Sequence, residues 1–89
     1  MFIKTPEDLT RAITIAENTT GEKRNEAIEA IGTYKWYNYY CNIHIKKDSE
    51  ADKENEKIFK YLEKESPEIH KLVEQRVDMY IGCLEHDLD

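Results

Sequence analysis

The chain has 89 residues and a formal net charge of −6; 39% of its residues are hydrophobic and 36% are charged. This length predicts one domain over residues 1–89, and the apolar content is too high for simple disorder. The thirteen basic residues are interspersed with nineteen acidic ones, so the sequence lacks the basic footprint of nonspecific nucleic-acid binding. The acidic charge fits a basic partner surface only weakly, and we do not expect a nucleic-acid partner.

The location of the protein is indicated by segments that the sequence lacks. No stretch approaches the length of a membrane span, and the apolar run after Met1 stops after two residues, too early for a secretory signal. The two Cys residues, without an export signal, are expected to be reduced thiols. We therefore expect a cytoplasmic protein with no membrane partner.

The first helix has a clear start at Thr5, which can cap it, followed by Pro6 and two acidic residues at positions that favour a helix N-terminus. Phe2 and Ile3 are expected to fold back on this first turn, as a hydrophobic staple does. A turn at residues 18–21 ends helix 1, and helix 2 begins near Gly21 or Glu22. The inner faces of these two helices are formed by Leu9, Ala12, Ile13, Ala16, Ala27, Ile28 and Ile31.

The middle of the chain, residues 33–45, holds the only Trp and four of the six Tyr residues. One interpretation places Gly32 inside helix 2, which then continues to about Lys47 and is apolar on several sides. Alternatively, Gly32 stops the helix. A third interpretation is a short strand at residues 39–46, where apolar and polar residues alternate, which would make the fold α+β. We favour the long helix, because a strand would find a pairing partner only at residues 2–4.

The second half of the chain predicts two more helices. Helix 3 follows a capping-box-like start at Ser49, and helix 4 follows Ser66 and Pro67, a cap and a first helical residue. Their apolar stripes are formed by Ala51, Asn55, Ile58, Phe59 and Leu62, and by Ile69, Leu72, Val73, Val77, Tyr80, Ile81 and Leu84. We predict an all-α, small four-helix bundle-like domain with short loops, in which helices 2 and 4 run in the same direction.

The aromatic residues predict a protein-binding face formed by Trp36, Tyr37, Tyr39 and Tyr40. These rings exceed what a core of this size can bury, and Tyr and Trp are enriched at interfaces. The leading hypothesis is a non-enzymatic, acidic, helical interaction protein that self-associates, binds and modulates a larger protein partner, or does both. One form of it is a small phage-type inhibitor.

An alternative function uses the same surface to bind or sequester a nucleotide or another small ligand. Aromatic rings with adjacent lysines can stack bases and hold phosphates. The residues that would do so are Tyr34, Lys35, Trp36, Tyr40, Lys46 and Lys47, with Arg24 as a further cation.

A third hypothesis is a zinc-stapled regulatory domain. Cys41 precedes His44 by three residues and Cys83 precedes His86 by the same spacing, so each pair shares a face of a helix. If helices 2 and 4 are parallel, the two pairs would supply a complete tetrahedral ligand set. Cysteines in a core and a histidine near a helix C-terminus need no metal, so no cofactor is the primary expectation. The sequence shows no pattern typical of a catalytic site.

Overall fold

The computed structural model describes residues 2–38 and 49–88. It contains four helices, which are α1 (Pro6–Asn18), α2 (Glu22–Trp36), α3 (Ser49–Glu65) and α4 (Pro67–Leu88). The described part of the chain has no strand, and the all-α, bundle-like prediction is confirmed. The alternative strand at residues 39–46 and the extension of α2 to about Lys47 lie outside the described residues.

Helix α1 begins as the sequence predicts, with Thr5 as its N-cap. The Asp8 N–H donates to Thr5 Oγ1 over 3.2 Å, and the Lys4 N–H donates to Asp8 Oδ2 over 3.2 Å. The two side chains thus satisfy backbone donors on both sides of the helix start, as in a capping box. The hydrogen bond from the Lys4 N–H lowers the pKa of Asp8 below its ordinary value.

The connection from α1 to α2 turns at Gly21, whose φ of 69° lies in the left-handed region that glycine adopts without a Cβ penalty. Helix α2 then passes through Gly32 without a break, and Tyr37 keeps helical angles beyond its last residue. Gly32 is therefore internal, as the favoured interpretation predicts. It lies where α4 approaches α2 closely, beside Arg76.

Helices α2 and α4 are parallel neighbours. Arg24 lies 3.5 Å from Glu68, Gly32 lies against Arg76, and the rings of Trp36 and Tyr80 are 5.7 Å apart between centroids. The contacts thus advance along α2 and α4 in the same direction. This parallel arrangement is expected when two antiparallel helical hairpins pack side by side.

Helices α1 and α3 are also parallel neighbours. Their C-terminal ends meet, because Ser66, which follows α3, donates from Oγ to Glu17 Oε2 of α1 over 2.8 Å. Since α1 also packs against α2 and α3 against α4, the bundle consists of two helical hairpins side by side. None of the helices in residues 2–38 and 49–88 has the length and apolarity needed to span a membrane.

The core lies between the four helices and along their predicted inner faces. Its buried apolar residues are Ile3, Leu9, Ala12, Ile13, Ala16, Ala27, Ile28, Ile31, Phe59, Leu62, Ile69, Val73 and Val77. Asn55 is the one buried polar residue among those described, and it continues the apolar stripe of α3 as the sequence predicts. The periodicity of apolar residues therefore identified the core of each helix.

Candidate protein-binding groove

The C-terminal end of α2 presents its aromatic residues to two different sides of the bundle. Trp36 turns towards α4, where its ring lies 5.7 Å from that of Tyr80 at 53°, and it packs against the edge of the core. Its Nε1 is buried without a hydrogen-bond partner among the described residues. Trp36 is thus largely a packing residue between α2 and α4.

Tyr37 points away from that contact and is 54% exposed. Successive residues of a helix are about 100° apart, because a turn takes 3.6 residues. The predicted aromatic face of Trp36, Tyr37, Tyr39 and Tyr40 is therefore divided within the described part of the chain. Tyr39 and Tyr40 lie outside the described residues, so their side stays a prediction.

A groove of about 600 Å³ lies between the N-terminal segment and residues 26–38, which include most of α2. Phe2 and Tyr37 are both among its lining residues, and Phe2 is 84% exposed. The described residues that line it are Phe2, Ile3, Lys4, Glu26, Glu29, Ala30, Thr33, Tyr34, Tyr37 and Asn38. We call this surface the Phe2–Tyr37 groove.

Phe2 is the lining residue whose exposure the sequence analysis did not predict. The expected fold-back of Phe2 and Ile3 onto α1 is only half correct, because Ile3 is buried and Phe2 is exposed. Adjacent residues of a segment outside any helix can point to opposite sides, so the two cannot both be assumed to reach the core. That alternation was the available signal for an exposed Phe2.

One wall of the groove is fixed by Tyr34, whose hydroxyl donates to Asn55 Oδ1 over 3.1 Å. Burial raises the pKa of the Tyr34 hydroxyl above its ordinary value, while the hydrogen bond to Asn55 acts in the opposite direction. This contact joins α2 to the N-terminal half of α3. The position of Tyr34 is therefore fixed by a hydrogen bond to a buried residue of the bundle.

Among the described residues that line the groove, the charged ones are Glu26, Glu29 and Lys4. Glu29 is exposed on the outer face of α2, one turn before Thr33. The described lining thus combines apolar and aromatic walls with charged side chains of both signs.

Two cations of the nucleotide-binding alternative have intramolecular partners. Lys35 Nζ donates to Glu74 Oε1 and lies 4.9 Å from the centre of the Phe59 ring. The guanidinium of Arg24 lies 3.5 Å from Glu68 Oε1. Neither side chain lines the Phe2–Tyr37 groove. The remaining members, Tyr40, Lys46 and Lys47, lie outside the described residues.

The proposed zinc ligands are not tested by the structure. Cys41 and His44 lie outside the described residues, and Cys83 and His86 lie on α4 with side chains that the structure does not describe. Within the described part of the chain, no three His, Cys, Asp or Glu side chains are grouped so as to hold a metal ion. The hypothesis stays a prediction, and the metal content of protein purified without a His tag tests it.

The lining of the groove offers hydroxyls, carboxylates and aromatic faces, which are binding groups for a polypeptide surface. Comparison of the chain with protein-family models, curated proteins and solved structures gives no match in any of the three.

Proposed function

We propose that this protein is a non-enzymatic interaction protein that binds a segment of a different, larger protein in the Phe2–Tyr37 groove and modulates that partner. The observation that supports the proposal is the pairing of two exposed aromatic rings, 84% for Phe2 and 54% for Tyr37, on one groove. Aromatic anchors in a pocket dominate the binding energy of most protein interfaces. Exposed apolar groups gathered around one depression are typical of an interaction site.

The proposal revises the aromatic face that the sequence predicts. Tyr37 is retained as an anchor, whereas Trp36 is assigned to the packing of α2 against α4. Phe2 takes the place of Trp36, since it lines the same groove as Tyr37. Tyr39 and Tyr40 follow Tyr37 in the chain and remain candidates for the same interface.

A different protein is favoured over a second copy of this chain as the occupant. The chain carries a net charge of −6. Like charges brought together across an interface disfavour association. Self-association through another surface stays a prediction, which sedimentation velocity over a wide range of protein concentration tests.

Nucleotide binding is the second candidate, and two of its cations are engaged elsewhere in the described part of the chain. Lys35 is paired with Glu74 and Arg24 with Glu68, and neither lines the groove. A nucleotide at 100 times its dissociation constant would add about 2.7 kcal/mol to the free energy of unfolding. We expect no such stabilisation in a thermal-shift panel of nucleotides.

The proposed function is tested by a photo-crosslinking amino acid placed at position 37 and, as a control, at position 61. Tyr61 is 53% exposed, nearly as much as Tyr37, but it lies on α3 and lines a different depression. We expect a discrete protein to be captured from the native host at position 37 and not at position 61. The captured protein, once purified, should bind wild type more tightly than Tyr37→Ala.

Two results would reject the proposal. The first is equal capture at positions 37 and 61, which would show that position 37 has no preferred partner. The second is a dissociation constant for the purified partner that Tyr37→Ala leaves unchanged, because a central aromatic anchor costs more than about 1 kcal/mol when truncated.

A further inference from the structure

We draw no further inference here: the strongest candidate, the apolar groove between the N-terminal segment and α2 that Phe2 and Tyr37 line, belongs to the site already described, and nothing in the described part of the chain shows the chemistry of what covers it.

Discussion

Gly32 of α2 lies directly against Arg76 of α4, so closely that a Cβ atom on Gly32 would be 2.9 Å from the Cβ of Arg76. That separation is shorter than two carbon atoms tolerate, and the Arg76 Cβ is fixed by its own backbone. The contact lies between the Arg24–Glu68 ion pair and the Trp36–Tyr80 ring pair. The missing side chain at Gly32 thus sets how closely the two parallel helices approach each other.

We expect Gly32→Ala to lower the free energy of unfolding. Alanine in a helix interior gains about 1 kcal/mol over glycine in intrinsic propensity, but the added methyl group overpacks the contact with α4 at a cost of about 1–3 kcal/mol. Gly82→Ala is the matched control, since no neighbouring atom of the described residues lies within 4 Å of its Cβ position on α4. Urea denaturation should show destabilisation at position 32 and stabilisation of up to about 1 kcal/mol at position 82. Stabilisation by both substitutions would contradict the close-packing interpretation.

The division between Trp36 and Tyr37 gives a second prediction. Trp36→Ala should destabilise the fold by about 3 kcal/mol, because it removes the ring that packs on Tyr80 and the edge of the core. Tyr37→Ala should change stability by less than about 0.5 kcal/mol, because its ring is largely exposed. Thermal and urea denaturation followed by circular dichroism measure both effects. Equal destabilisation would show that Tyr37 belongs to the core and is not an exposed anchor of the Phe2–Tyr37 groove.

The hydrogen bond between Tyr34 and Asn55 gives a third prediction. Tyr34→Phe removes the hydroxyl that donates to Asn55 Oδ1, and Asn55 is 3% exposed. An interior acceptor that loses its donor costs about 1–3 kcal/mol, so the variant should be less stable by that amount. Tyr61→Phe is the control, because Tyr61 is 53% exposed. If both variants kept wild-type stability, the contact would contribute nothing to the bundle.

The fourth prediction concerns pH and Asp8. Its pKa is lowered in the folded protein, first by the hydrogen bond from the Lys4 N–H, so the unfolded chain takes up this proton at a higher pH. The stabilisation from Asp8 is therefore present above the unfolded pKa and is lost as the pH falls through the folded pKa. The difference in the free energy of unfolding between wild type and Asp8→Ala should shrink from about pH 6 to about pH 2. A constant difference over that range would show that the carboxylate charge makes no contribution.

The positions of the aromatic residues show what could not be predicted from the sequence. The surplus of rings in residues 33–45 predicted an aromatic surface, and Tyr37 is indeed exposed. Which ring would be covered depended on α4, because Tyr80 lies where Trp36 can pack against it. The periodicity within α2 carries no information about that neighbour. That Phe2 lines the same groove as Tyr37 could not be predicted either, because Phe2 lies 35 positions earlier in the chain.

The sequence by itself determined the helices and their inner faces, because caps, prolines and apolar spacing act within a few residues of each other. Thr5, Pro6 and Pro67 mark helix starts, and the spacing of Leu9, Ala12 and Ile13 marks a buried face. Only the tertiary structure decided that Gly32 serves an interhelical contact, that Lys35 pairs with Glu74, and that Phe2 and Tyr37 line one groove. These relationships join residues far apart in the chain, and their geometry exists only after the two hairpins have packed together.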